Sequence, residues 1–488
     1  MERLDRERPE NYFDDWKERE ALAEGLIPIV GRLYREKNIK SYLYGYSLHN
    51  ESVLSIMQAH RKVRQVEENE LSEFETYPIA QALAQMDLGP AHVDLGRLAV
   101  QYEQACEQRP SLTIEQYLHD ELADLIGAEL KQNKPVDVVL YGFGRIGRLM
   151  ARLLIEKTGG GSNLRLKAIV VRPTSVANDL EKRASLLRRD SVHGRFKGTI
   201  RVDHEHQSFV ANGNEVRVIY ASTPEEIDYT SFGIKDAIVV DNTGIFRDDE
   251  ALKKHLQSKG ARKVILTAPG KGSLKNIVFG VNHDLITADD VMISAASCTT
   301  NAIVPPLQVI DDAYGIVCGH VETVHSYTND QNLIDNYHKA DRRGRSAALN
   351  MVITETGAAK AVSKVLPQLS NKLTGNAIRV PTPNVSLAIL NLTLSKNVSL
   401  DDFNAFMKQV ALHSPLRKQL DYSNSPEVVS TDFVGTRCAS TYDAEATIVN
   451  GNHIVVYLWY DNEFGYSCQV HRILEQMAGV KYAVYPKN

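Results

Sequence analysis

The sequence predicts an α/β chain in successive stretches: an all-α N-terminal extension over 1–132, a doubly wound parallel sheet over 133–297, an α+β domain with a mixed sheet over 298–462, and a C-terminal helix over 463–488. Three observations predict it. Apolar residues recur at three- and four-residue spacing through the first 130 positions. Short β-branched runs then alternate with helical patterns, which argues for a parallel sheet. Beyond about Ala295, long strand-like runs alternate with helices in a mixed order.

Within the extension, helices are expected near 12–36, 51–66, 71–86, 94–107 and 113–130, with Leu118, Leu122, Leu125, Ile126 and Leu130 as one apolar face. Thr113 with Gln116 three residues on resembles a capping box. Residues 1–130 hold 25 acidic and 14 basic side chains, and the remainder 36 acidic and 42 basic, so a seam near residue 130 is expected. The extension is then expected to dock on the rest of the chain, a neighbouring copy or a protein partner.

After 132–135 the texture changes. Val136 to Tyr141 reads as a buried strand and Ile146 to Ile155 as a helix. Further strands are expected at 166–171, 200–202, 215–220, 237–241 and 263–267, then at 291–295, 384–394 and 453–459. Helices are expected at 299–314, 358–365, 400–410 and 466–478.

Gly142, Phe143, Gly144, Arg145, Ile146 and Gly147 form a GxGxxG between the first of these strands and its helix. That context gives the glycines a mechanism: a tight turn, backbone approach to a pyrophosphate, and close helix–strand packing. The helix N-terminus then favours the anion. A Rossmann-type NAD(P)-binding domain follows as the expectation. The next strand should end in an acid for the ribose 2′-hydroxyl, yet Arg172 stands there. Arginine can pair with a 2′-phosphate, so NADP, or both NADP and NAD, is expected; the alternative is a guanidinium that merely faces solvent.

Cys298 lies where a strand-like run gives way to a helix, a position that stabilises a thiolate. His325 ends an alternating run from His320 and could move protons beside it. Spacing alone does not join the two, since a lone cysteine or histidine is more often a core residue.

From about Val136 onward the chain resembles the glyceraldehyde-3-phosphate dehydrogenase family. The matching stretches are GFGRIGR at 142–148, DSVHGRF at 190–196, SCTTN at 297–301, HSYTNDQ at 325–331, RRGRSAALN at 342–350, TGAAKAV at 356–362, RVPTPNVS at 379–386 and WYDNEFGYS at 459–467. The resemblance implies a Cys298 nucleophile, a His325 base, and a hemithioacetal oxidised to a thioester that inorganic phosphate then cleaves. It implies that Thr328 and Arg379 hold the substrate's phosphate, while Ser297, Thr299, Thr356 and Gly357 hold the attacking one. It assigns Asn462 and Tyr466 to the nicotinamide, and Thr243, Gly244 and Thr267 to the rest of the cofactor. It also implies a homotetramer and a C-terminal helix, 463–488, that returns to the Rossmann domain. Asn336 and Tyr337 replace the family's usual Leu-Pro pair, and with Arg172 they favour NADP, which would allow a gluconeogenic as well as a glycolytic role. Ala302 replaces a second cysteine often found there. The runner-up is erythrose-4-phosphate dehydrogenase, which 311–316 (DDAYGI) also resembles; a binding or moonlighting protein is the non-catalytic alternative.

The remaining features are exclusions. Five scattered cysteines (Cys106, Cys298, Cys318, Cys438, Cys468) argue against a disulfide framework and a metal site, and for a reducing cytoplasm. A charged start without an apolar core reads as no secretory signal, and no run of about 18 apolar residues reads as a membrane span. No basic run with interleaved aromatics suggests nucleic acid; Arg183, Arg188 and Arg189 make only a modest patch.

Overall fold

The computed structural model describes residues 6–7, 9–65, 67, 69–128, 135–157 and 163–487. They fall into two compact units, one of 6–128 with 481–487, the other of 135–157 with 163–480. The seam expected near residue 130, with Leu130 itself, and residues 158–162 lie outside the described residues.

The first unit holds helices at the expected places: α1 (Tyr12–Lys37), α2 (Val53–Lys62), α3 (Glu73–Gln85), α4 (Leu95–Gln108) and α5 (Ile114–Glu121). The last is shorter than the expected 113–130: it ends at Glu121, and only a single 3-10 turn, Ala123–Leu125, follows. Their ends follow local chemistry. The Asn11 side chain accepts from Phe13 N at the start of α1, and Asn38 closes it in the left-handed region. The Thr113–Gln116 capping box at α5 is present, with Gln116 N donating to Thr113 Oγ1 at 3.2 Å. Leu26, Leu33, Ile56 and Ile79 are fully buried between the helices; each contributes roughly 1.5–3 kcal/mol. The unit is nevertheless not all-helical, which corrects the expectation for 1–132. Strands β1 (Lys40–Leu43), β2 (Tyr46–Ser47) and β3 (Ala91–Asp94) form a small sheet beside the helices.

The second unit opens with β4 (Val136–Tyr141), α6 (Arg145–Lys157), β5 (Leu164–Val171) and α7 (Asp179–Arg188). A two-stranded ribbon, β6 (Arg189–Asp190) and β7 (Gly194–Arg195), follows. Then come β8 (Ile200–Asp203), β9 (Ser208–Ala211), β10 (Asn214–Tyr220), β11 (Ala237–Asp241), α8 (Asp249–Leu256), β12 (Ala261–Leu266) and β13 (Met292–Ser294). The sheet order is β13-β12-β11-β4-β5-β10-β9-β8, parallel from β13 to β10. The central strand β4 is buried on both faces, which is why Val136 to Tyr141 is nearly unbroken apolar sequence.

The mixed half comprises α9 (Cys298–Tyr314), β14 (Ile316–Ser326), β15 (Val352–Glu355), α10 (Ala358–Val365), β16 (Leu373–Val380), β17 (Ser386–Leu394), α11 (Leu400–His413), β18 (Leu420–Ser423), β19 (Ser440–Asn450) and β20 (His453–Tyr460). Its order is β15-β16-β14-β17-β20-β19-β18. Helix α12 (Phe464–Met477) returns to the parallel sheet, with Val470, Ile473 and Leu474 in the same core as Met150 and Leu154 of α6. The return ends at about residue 480. Strand β21 (Ala483–Tyr485) pairs in parallel with β3, and Tyr485 is buried in the core of the first unit. The stretch 463–488 therefore divides between the two units. Among the described residues no helix is long and apolar enough to cross a membrane, and no cluster of potential metal ligands occurs.

Candidate active site

The parallel sheet reverses direction at β4: β5 and β10 add on one side, then β11, β12 and β13 on the other. The carboxyl ends of strands at such a reversal open a crevice for a ligand. Gly142, Arg172, Thr243, Gly244 and Thr267 all stand just past these strand ends. Gly142 has φ +95°, and a Cβ on Gly147 would lie 2.3 Å from the Gly142 carbonyl oxygen. Neither position tolerates a side chain. A Cβ on Gly144 would meet nothing within 4 Å, so that side of the turn is open.

The side chains of the turn have other work. Phe143 is buried, its ring 6.2 Å from that of Phe209, and Ile146 packs on the same core. Arg145 donates through Nε to Glu463 Oε1 at 2.9 Å and pairs with Asp190 as well. Two carboxylates balance its charge, which leaves the backbone N–H groups to meet a pyrophosphate. Burial alone would raise Asp190, but the backbone N–H groups of His193 and Val192, with Arg145, bring it down to about 2. Thr243 donates from N and from Oγ1 to Asp241 Oδ1, both at 2.7 Å. Thr267 Oγ1 donates to the Asp241 carbonyl at 3.0 Å. Gly244 adopts φ +65°. Arg172 is exposed and makes no hydrogen bond or ion pair with a described residue. Open cradle, helix start and uncommitted cation fit a nicotinamide dinucleotide.

The nucleophile sits on a strained turn. Ala296 has φ +55°, a conformation that costs a non-glycine residue energy and persists only when its neighbours impose it. They do so here. Tyr466 OH donates to the Ala296 carbonyl at 2.8 Å, and Asn301 Nδ2 donates to the carbonyls of Ala295 and Ser297 at 2.8 and 2.9 Å. Ser297 caps α9 by accepting from Thr300 N at 3.0 Å, worth about 1 kcal/mol. Cys298 is thereby the first residue of a 17-residue helix, its thiol at the positive end of the dipole.

The base arrives from the other sheet. His325 and Arg379 lie opposite one another on the parallel pair β14–β16. Cys298 Sγ is 3.7 Å from His325 Nε2. His325 Nδ1 is 2.7 Å from the Ser326 carbonyl and 2.7 Å from Arg379 Nη1. One imidazole nitrogen cannot serve both neighbours. Donating to the carbonyl leaves Nε2 with the lone pair that a base needs; accepting from Arg379 places the proton on Nε2 instead.

The charges correct one expectation. Burial pushes the Cys298 thiol up, against the pull of Arg379 and the turn's hydrogen bonds. Burial, reinforced by Arg379, pushes His325 down to about 3. The ligand-free pair is thus neutral thiol and neutral imidazole, not a standing thiolate.

Arg379 is the available cation of the site. Among the described residues it forms no ion pair with a carboxylate, and its buried Nε lacks a hydrogen-bond partner. That orphaned donor fits a phosphate oxygen. The other expected phosphate ligands gather on adjoining elements but are partly engaged. Thr328 Oγ1 donates to the Asp330 carboxylate, which also takes Arg343 at 2.8 Å. Thr299 Oγ1 lies 3.0 Å from Tyr460 OH. Thr356 Oγ1 accepts from Ala358 N at 3.2 Å, and Gly357 opens α10 with nothing near its Cα face. Asn462 is buried past the end of β20, its Oδ1 accepting from Ser386 Oγ at 2.9 Å.

Sequence reasoning gave no role to Asn301, Ser326, Ser386 or Tyr460. An asparagine in the first turns of a helix was a usable signal, because it competes with the backbone. Val385, at φ +64° in a buried turn, had no signal at all.

A dinucleotide-type crevice next to a cysteine–histidine pair is the arrangement of a nicotinamide-dependent dehydrogenase. The sequence matches the glyceraldehyde 3-phosphate dehydrogenase NAD binding domain over residues 136–249 and its C-terminal domain over 297–462. A glyceraldehyde-3-phosphate dehydrogenase-like protein of Pseudomonas aeruginosa is 59% identical across 95% of this chain and 100% of its own length. The glyceraldehyde-3-phosphate dehydrogenases of Streptococcus pyogenes serotype M1 and of a Cupriavidus necator plasmid are each 40% identical across 71% of this chain and 99% of their own. The chain belongs to the glyceraldehyde-3-phosphate dehydrogenase family. The first relative's coverage takes in the N-terminal unit; that of the other two stops at 71% of the chain.

Proposed function

We propose that the protein oxidises D-glyceraldehyde 3-phosphate to 1,3-bisphosphoglycerate reversibly, with inorganic phosphate and with NADP or NAD, both being accepted and NADP favoured. The observation that carries this reading is Cys298 set 3.7 Å from His325, with the unpaired guanidinium of Arg379 beside them. A phosphate monoester pairing with Arg379 draws the guanidinium off Nδ1. Nδ1–H then donates to the Ser326 carbonyl, and Nε2 takes the Cys298 proton as Sγ attacks the aldehyde carbon. The Cys298 N–H at the helix start meets the oxygen of the hemithioacetal. A bound nicotinamide supplies the hydride acceptor. Phosphate attack on the resulting thioester returns the thiol. Ser297, Thr299, Thr356 and Gly357 are the donors for that second anion, and Tyr466 keeps the turn rigid throughout.

Steady-state kinetics test the reading. The rate with D-glyceraldehyde 3-phosphate is expected to depend on inorganic phosphate and to exceed that with erythrose 4-phosphate. A phosphate-independent rate would favour erythrose-4-phosphate dehydrogenase instead. In the same assay Arg172→Asp is expected to lower kcat/KM for NADP by roughly 10- to 100-fold, a loss of about 1.5–3 kcal/mol of charge-assisted hydrogen bonding, with NAD little changed. NADP efficiency that survives the charge reversal sinks the role of Arg172.

The reading includes a homotetramer. Leu333, Ile334, Tyr337, Leu349 and Met351 are each at least 72% exposed on one loop region of this unit. Apolar surface so concentrated marks an interaction face. Sedimentation is expected to give four chains per particle, and a monomer would refute the assignment.

A further inference from the structure

We infer that Ser386 is a positioning residue that fixes the polarity with which Asn462 meets the dinucleotide, so that Asn462 offers a donor, not an acceptor, to the carboxamide. This rests on the reading of Asn462 as the nicotinamide contact. Ser386 opens β17 and is 1% exposed. Its Oγ accepts from Ser326 N at 3.1 Å. A backbone N–H only donates, so that contact fixes Ser386 Oγ as an acceptor there. That contact takes one of the hydroxyl's two lone pairs, and its proton is donated to Asn462 Oδ1 at 2.9 Å. A hydroxyl can donate only to the oxygen of an amide. The Asn462 amide is therefore oriented with Oδ1 turned to Ser386. Nδ2, with two protons, makes no hydrogen bond to a described residue and is the end left for a ligand.

The serine is itself held in place. Val385, just before it, sits at φ +64°, a conformation hostile to a β-branched residue. Its carbonyl accepts from Ser326 Oγ at 2.8 Å, and Ser326 Oγ lies 3.1 Å from Thr382 Oγ1. The turn is thus fastened to the residue next to the base. One hydroxyl links the strand that carries His325 to the amide that would face the nicotinamide. The ligand group matched by Nδ2 is a carbonyl oxygen. A dinucleotide is then recognised by the C=O of its carboxamide more than by its NH2.

Calorimetric binding to the full-length enzyme, without aldehyde, tests this with three probes in the 2′-phosphate or 2′-hydroxyl series that binds the wild type. They are the natural oxidised dinucleotide, its 3-acetylpyridine analogue, which keeps the C=O and lacks the NH2, and its thionicotinamide analogue, which keeps the NH2 and has a poor acceptor. The wild type is expected to bind the acetylpyridine analogue within about threefold of the natural cofactor and the thionicotinamide analogue roughly tenfold more weakly. In Ser386→Ala that preference should collapse to within about twofold, because the freed amide can turn either end outward. Ser386→Thr, which keeps the hydroxyl, should restore it. A reversed preference in the wild type, or an unchanged one in Ser386→Ala, overturns the inference. If the wild type binds no dinucleotide at all, the cofactor reading fails first. General loosening of the turn would weaken all three probes alike and leave their ratio intact, which also overturns it.

Discussion

Replacing Cys298 by serine is expected to lower kcat for aldehyde oxidation at least about a thousandfold while leaving dinucleotide affinity within about a factor of two. The size follows from the site's charges. His325 has been pushed down to about 3, so it is a weak base before substrate binds. The Cys298 thiol, though itself raised, still parts with a proton far more readily than an alcohol does. Serine would ask this imidazole to remove a much less acidic proton. The helix N-terminus and Arg379 remain, but they stabilise an anion that no longer forms. Equilibrium binding measured by fluorescence titration, beside a phosphate-dependent turnover assay, separates the two effects. Turnover within tenfold of wild type would mean that the sulfur is not the nucleophile.

His325→Asn is expected to reduce kcat by about 10²–10⁴-fold, the range for removing a positioned acid–base group. It carries a second signature in stability. His325 takes up a proton near pH 3 in the native state, first because it is buried and next because Arg379 is adjacent, whereas an unfolded histidine does so near 6.5. The unfolded chain thus binds the proton first, and native stability falls as pH drops below about 6.5. Between pH 7 and pH 5 this one group costs the wild type about 2 kcal/mol. The asparagine variant should lose that much less over the same interval. Denaturant midpoints at the two pH values check it. Equal acid sensitivity in both proteins would show that His325 is not held neutral by its surroundings.

How much of this was legible in the sequence depends on the range of the interaction concerned. The parallel sheet was readable because each strand announces itself: Val136 to Tyr141 is apolar on both faces and is followed by the glycines its crossover needs. The small sheet of the first unit was not. Its strands are four residues or fewer, too short for a period-2 pattern, and β1 and β3 are paired across α2 and α3. The chemistry of Cys298 and His325 was legible as residue types and by family likeness. Their protonation was not, because Arg379 approaches His325 through strand pairing 54 positions away. The strain at Ala296 and Val385 left no mark either. Alanine and valine say nothing about a positive φ that only surrounding hydrogen bonds impose.

Strand β21 has a consequence for biosynthesis. The helices of the first unit and strands β1 to β3 leave the ribosome early, yet the strand that covers the outer edge of β3 is translated only after both dehydrogenase domains. Through most of elongation the nascent chain therefore carries an unpaired parallel edge and an unfilled place for Tyr485. Edges of that kind recruit other strands. Chaperone occupancy on polysomes would be greatest over this interval, and residues made late would close a unit begun much earlier.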